Sequence, residues 1–351
     1  MPSLSEKLRP KANQVWSGAD AAYSFQFSSN QALWFFGDTF LSHSGQALQM
    51  INNSAARQKL DESGDERGQP LEFIWGHGDS SLFPGNKSWL WPLDGGQIDG
   101  QIYEFMNVVA AKRSRDPNFA FHVEHQMLMH LNNPEDQAQN WKFSTTLCKV
   151  QGVQLGNAVC VDDRFIYVYS SSLKDAHGNA KHPIILARIS RENLEHPGSQ
   201  ERGVTRKIEY YCGNQSAANS EKKIWNKSHT HATILFPDGA PEMSVTKIPT
   251  QPGLFAFYFP PGFGNTIVMR HADHPEGPWS EPQPVYQCPE DTKKYLLYSA
   301  KAHPEQSQNP GEITLTYCVN AIATGKESLP ANPASYYYPH AVRVVIGKSV
   351  P

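Results

Sequence analysis

Two aspartates mark the most distinctive stretch of the sequence, in Trp16-Ser-Gly-Ala-Asp20 and Trp34-Phe-Phe-Gly-Asp38-Thr-Phe40. Between them, Ala22 to Phe27 alternates small or polar with aromatic residues, Ser28 to Gln31 has turn chemistry, and Ala32 to Phe36 is a continuous apolar run. A β-hairpin folded around Ser29 and Asn30 brings Asp20 opposite Asp38 or Thr39. Directly opposed residues have Cβ atoms about 4.5–5.5 Å apart, where like charges repel. One carboxyl then holds its proton more tightly than the other. Splitting two acids in this way gives a site both a base and a group that tunes it. The ordinary alternative is that Asp38 caps a strand end and Asp20 is solvated.

A third acid, Glu242, stands in Pro241-Glu-Met-Ser-Val245, an apolar setting expected to favour its protonated form. Glycosidic cleavage needs one protonated carboxyl to donate to the leaving oxygen and an ionised one to activate water or attack the anomeric carbon. Glu242 fits the general acid, Asp20 the base or nucleophile, and Asp38 the partner that orients Asp20. The competing role for Glu242 is a rim salt bridge with Lys247 or Arg270. Trp75, Trp91 and Trp225 offer flat faces for sugar rings, against the commoner role of core packing. Asn53 and Asn157 suit hydroxyl ligands, and Lys301 and His303 could hold an anionic or hydroxyl group. No clustered ligand spacing calls for a metal, so no cofactor is required, with a structural Ca²⁺ or Na⁺ in a central channel as the alternative.

These residues span 351 positions with a net charge of -3, which gives no global attraction to nucleic acid or anionic membrane. No apolar run is long enough to insert in a membrane. The start lacks a basic and then apolar leader, so no signal peptide is visible; a trimmed export segment would imply an extracellular or periplasmic protein. Cys148, Cys160, Cys212, Cys288 and Cys318 lie far apart and read as buried thiols.

Helical periodicity is scarce, and short aromatic or β-branched runs punctuated by Gly, Pro, Asn and Asp recur throughout, which predicts an all-β protein. The layout of the first hairpin, a polar residue entering a strand, a turn, then an apolar strand, returns four times, around Trp91 and Asp94, Asn157, Glu242, and Lys301 with His303. Units of about seventy residues match a single five-bladed β-propeller domain over 1–351, its blades near 15–60, 72–150, 155–212, 230–287 and 295–347. Surplus length falls in polar loop insertions at 57–69, 112–118, 213–229 and 304–311. A last strand within Tyr336–Ile346 is expected to pair with the N-terminal segment and close the ring. The polar entries would then face one cavity.

At these residues the sequence resembles the five-bladed propeller glycosidases. It is similar to the broad arabinanase, xylosidase and invertase group, and more closely to a bacterial domain-of-unknown-function family that includes D-arabinan-cleaving members. The matching stretches are Gly18-Ala-Asp20, Leu33-Trp-Phe-Phe-Gly-Asp-Thr-Phe40, Asn53-Ser-Ala, Gly156-Asn-Ala-Val159, Pro241-Glu-Met-Ser-Val245, Arg270-His-Ala with Gly277-Pro-Trp-Ser280, and Tyr298-Ser-Ala-Lys-Ala-His-Pro304. The resemblance implies a base in the first blade, a nearby aspartate that adjusts it and an acid in a later blade, positions that Asp20, Asp38 and Glu242 take. It also implies a neutral, furanose-containing, arabinan-like oligo- or polysaccharide as substrate and a monomeric hydrolase. Asn157 departs from the broader group's third-blade aspartate, and Trp75 to Asp94 has no counterpart. The alternative is a catalytically silent propeller that binds glycan or protein.

Overall fold

The computed structural model describes residues 3–11, 14–60, 70–85, 87–113, 120–172, 182–195, 204–213, 224–262, 264–307, 309–322 and 332–347. Most of the predicted insertions at 57–69, 112–118 and 213–229 lie outside these residues. Among the described residues, two five-residue α-helices, α1 (Leu4–Leu8) and α2 (Arg191–Glu195), and a few single 3-10 turns accompany a chain built of β-strands.

The first strands are β1 (Trp16–Ala19), β2 (Tyr23–Ser28), β3 (Gln31–Phe36), β4 (Thr39–Leu41), β5 (Gln49–Ile51), β6 (Ser54–Lys59) and β7 (Glu72–Ile74). Strands β2, β3, β6 and β7 form one antiparallel sheet in sequence order, while β1, β4 and β5 form a separate small one. The β2–β3 hairpin turns at Ser29 and Asn30, as the turn chemistry predicts. A second sheet runs β8 (Trp89–Ile98), β9 (Gln101–Ala111), β10 (Phe121–Leu131), β11 (Phe143–Cys148). The third begins β12 (Val153–Val161), β13 (Phe165–Ser172), β14 (His182–Ser190), continues through β15 (Glu209–Tyr211) and β16 (Trp225–Asn226), and adds β17 (Ile234–Gly239) on β14. The fourth is β18 (Ser244–Thr246), β19 (Leu254–Tyr258), β20 (Thr266–Ala272), β21 (Gln283–Gln287), and the fifth β22 (Tyr295–His303), β23 (Glu312–Ala321), β24 (His340–Val345).

The leading strands β2, β8, β12, β18 and β22 touch in that order. The last returns to the first through the Ser24 Oγ to His303 Nδ1 contact of 2.6 Å and the Ser299 hydroxyl, which donates to the Ala21 carbonyl at 3.2 Å. Apolar clusters fill the spaces between successive sheets. Phe25, Phe35 and Met106 pack between the first and second, Phe105, Leu155 and Val168 between the second and third. Phe236, Met243 and Tyr258 follow between the third and fourth, and Phe257, Leu315 and Tyr317 between the fourth and fifth. Covering both faces of a sheet explains why Ala32 to Phe36 is apolar without alternation and wholly buried. Each large side chain so buried contributes about 1.5–3 kcal/mol.

Two boundaries and one strand pairing differ from the sequence expectation. Strand β7 pairs with β6 and so belongs to the first sheet, and β16 and β17 extend the third sheet beyond residue 212. The final strand, β24, pairs with β23 and not with the N-terminal segment. That segment supplies β1, which pairs with β4, and Gly18 (φ +124°) lets it lie against the C-terminal region, where a Cβ would stand 2.0 Å from the Tyr337 carbonyl oxygen. All five cysteines are free thiols. Among the described residues no helix is long and apolar enough to cross a membrane.

Candidate active site

Asp20 and Asp38 do meet, though not on the β2–β3 ladder. Asp20 follows β1 and Asp38 precedes β4, and the Asp20 amide donates to the Asp38 carbonyl at 3.2 Å. The Asp20 carbonyl in turn accepts from the Ala22 and Gly37 amides, each at 3.1 Å. Leaving Asp20 for β2, the chain passes through left-handed backbone at Ala21 (φ 69°) and Ala22 (φ 67°). Such conformations cost about 1–3 kcal/mol each in residues other than glycine, and they collect where function overrides relaxation. The Phe-Gly-Asp-Thr-Phe element has a steric logic: a Cβ at Gly37 would stand 2.3 Å from Asp20 Oδ1, so a side chain there would displace the carboxylate.

Two phenols frame Asp20. The Tyr298 hydroxyl donates to Asp20 Oδ2 at 2.8 Å, and Tyr337 also hydrogen-bonds this carboxylate. Neither stands out in the sequence, because an aromatic residue in a β-rich stretch reads as packing. Burial raises Asp20 to about 8, with the Asp38 and Glu242 charges adding to the rise and the two tyrosine bonds opposing it. Asp38 is raised too, by burial, against the Trp91 indole and Asn52 amide that donate to its Oδ1 at 2.8 and 3.3 Å. Trp91 is thus a carboxylate partner, and its ring meets Trp89 and Phe121 edge-on.

Glu242 enters the same field from the segment before β18. Its Oε2 is buried and has no hydrogen-bond partner. The expected alternative, a salt bridge to Arg270, does not form, since Arg270 pairs with Asp238 at 2.7 Å and donates to Tyr258. Asn157 explains how Glu242 is held: its Nδ2 donates to the Ala240 carbonyl at 2.8 Å and to Ser171, and its carbonyl accepts from the Met243 amide at 3.1 Å. With its side chain fully used, Asn157 shapes the site and does not project into it. Asn53 is likewise occupied, accepting from the Phe83 amide at 2.7 Å and donating to the Phe83 and Leu90 carbonyls, which straps Phe83 and Leu90 to the first sheet. Trp75 packs beside the Trp16 cluster and donates to Asp79, itself 2.8 Å from His43.

Asp20, Asp38, Trp91, Glu242 and Tyr298 form one group, linked by hydrogen bonds and by the charges that Asp20 feels. Separately, the five leading strands line a cavity of about 450 Å³ that includes Tyr23, Asp94 and Lys301 and none of that group. Asp94 accepts from the Gly95 and Val159 amides and is raised by burial to about 6, against the opposing Lys301 charge. His303 is fully buried, stacked on Trp34 at 4.6 Å, with Ser24 on one ring nitrogen and Thr316 on the other; burial and the Lys301 charge take it down to about 3. It is a neutral packing residue inside the protein. Among the described residues no group of three His, Cys, Asp or Glu is placed to hold a metal ion.

Glu104, on β9, was not marked by the sequence. It is fully buried, neither carboxyl oxygen has a hydrogen-bond partner, and burial pushes it well above the ordinary carboxylate range. Its folded form keeps a proton that the unfolded chain releases above about 4.5. The stability this proton supplies is complete below that value and is lost as pH rises towards the folded one, by about 1.4 kcal/mol per pH unit. Glu104→Gln lacks this slope. Its melting temperature relative to wild type should therefore be higher at pH 8 than at pH 4, and an unchanged difference across thermal melts at the two pH values would refute the assignment.

An all-β chain whose sheets follow one another in propeller-like order, with Asp20 and Asp38 meeting beside one small sheet and Glu242 just before the fourth, defines the class of protein: a β fold with a candidate acid–base site. The chain belongs to the family described as a domain of unknown function, DUF5005, whose model matches residues 10–346. No curated protein matches it. Among solved structures it is similar to a Bacteroides ovatus protein provisionally assigned as a hydrolase, with 16% identity, TM-score 0.67 and coverage of 95% of this chain and 87% of that one. Weaker likeness extends to an α-L-arabinofuranosidase from Podospora anserina solved with cellotriose (11% identity, TM-score 0.47, coverage 96% and 93%) and to a thermostable family-43 glycoside hydrolase (12%, 0.46, 95% and 95%).

Proposed function

We propose that this protein is a five-bladed β-propeller glycoside hydrolase that cleaves a neutral, furanose-containing glycan with Asp20 as base or nucleophile, Glu242 as general acid and Asp38 as the partner that tunes Asp20. The observation that carries the reading is that the buried Asp20 carboxyl feels the charges of both Asp38 and Glu242, carboxyls from separate parts of the chain. A cluster of this kind retains a proton at neutral pH. Hydrolysis needs that proton on the group facing the glycosidic oxygen and an ionised carboxylate on the other side of the anomeric carbon. Trp91 and Asn52 fix the Asp38 carboxylate, and Tyr298 and Tyr337 fix Asp20.

Incubation with arabinans, galactans and xylans should release new reducing ends. A panel without release, accompanied by saturable glycan binding, would instead favour a propeller that only binds. One observation supports that second reading: Asp20 at about 8 stays protonated at neutral pH and suits a hydrogen-bond donor.

The tuning role of Asp38 has its own test. Its charge raises Asp20, so Asp38→Asn should lower the Asp20 titration and move the rising limb of kcat/KM to more acidic pH. A limb that stays in place would remove Asp38 from the mechanism.

A further inference from the structure

Lys301 is 2% exposed, an unusual place for an ammonium. A methionine would fill the same space without desolvating a charge. Its Nζ donates to the Met243 carbonyl at 2.9 Å and lies 4.1 Å from the centroid of the Tyr23 ring. The residue it grips is the immediate neighbour of Glu242. From the other side, the Met243 amide is held by the Asn157 carbonyl, and the Asn157 side chain holds Ala240. The four-residue segment 240–243 is thus tied at both ends by its main chain, while Glu242 Oε2 stays free of any hydrogen bond.

We infer that Lys301 is a positioning residue: wedged between Tyr23 and the Met243 carbonyl, its ammonium fixes the backbone that presents Glu242 and supplies a counter-charge to the neighbouring acids. This rests on Glu242 being the catalytic acid, and it replaces the expectation that Lys301 binds substrate. The groups facing the ammonium are Asp94 and Glu242, which favour its charge, with Cys318 and the Tyr23 ring close by and His303 two residues along the same strand. Burial lowers Lys301 to about 8 against those carboxylates, so the clamp is charged at neutral pH and weakens above it.

Lys301→Met tests the assignment, with Lys301→Arg as the variant that retains charge. In Lys301→Met, amide hydrogen exchange at residues 243–245 should quicken roughly tenfold or more, as for loss of one buried hydrogen bond. Its kcat should fall by about 100-fold with KM changed less than about threefold, the signature of a displaced catalytic group, and Lys301→Arg should recover part of the loss. Unchanged exchange, or faster exchange with wild-type kcat, would overturn the inference. If Lys301→Met does not fold, the wild-type protein decides: protection at 243–245, corrected for intrinsic base catalysis, should drop as pH passes about 8, and constant protection contradicts the clamp. A wild-type protein that cleaves no glycan would defeat the proposed function, whereas the exchange measurement still tests the clamp.

Discussion

Asp20→Asn is expected to lower kcat/KM for glycan hydrolysis by about 10³-fold, within the range that a positioned base or nucleophile contributes. Asparagine preserves the shape and can still accept the Tyr298 hydroxyl, so the loss should not come from unfolding. The pH profile makes the claim sharper. A base acts only when ionised, and Asp20 is raised to about 8 by burial and its acidic neighbours. Wild-type kcat/KM should therefore rise with pH on a limb set by Asp20 and fall on a second limb set by loss of the donating proton of Glu242. A profile that instead falls through pH 8 would assign the proton-donating role to Asp20 and exchange the two roles.

Glu242→Gln should be comparably severe, about 10²–10⁴-fold, on natural linkages, whose alkoxide leaving groups need a proton. Aryl glycosides with acidic leaving groups need little or none, so the same variant should lose less than about tenfold on them. Equal loss on both substrate types would show that Glu242 acts by binding or structure and not by proton donation. This contrast separates it from Asp20, whose replacement should impair both substrate types alike.

Much of this site was readable in residue types and spacing. The turn at Ser29 and Asn30 and the apolar run to Phe36 are local features, and they return as β2 and β3. Asp20 and Asp38 come together, but on a small sheet of their own, because the chain breaks at Ala21 and Ala22 where left-handed backbone interrupts the ladder. Sequence patterns carry no signal for such a break in residues other than glycine. Tyr298 and Tyr337 were missed for a related reason: a phenol bound to a carboxylate and a phenol packed in a core have the same one-letter neighbourhood. Glu104 escaped notice because only long-range packing makes a carboxyl in Tyr103-Glu104-Phe105 fully buried.

The sequence suggests substrate-facing roles for Asn53, Asn157, Lys301 and His303, the last three from their places in the repeated strand layout. In each, the hydrogen bonds that place it are to neighbouring protein groups. Asn157 lies inside β12 and Lys301 and His303 at the end of β22, where groups of neighbouring strands need partners, and polar side chains are drawn there for that reason.

The most direct test is a crystal structure of Glu242→Gln soaked with a bound arabino-oligosaccharide. The account predicts a scissile bond lying across the three acids, its glycosidic oxygen within hydrogen-bond reach of the side chain at position 242 and Asp20 facing the anomeric carbon. Saccharide seated only in the cavity lined by Tyr23, Asp94 and Lys301, or on an outer face away from Asp20, would contradict it.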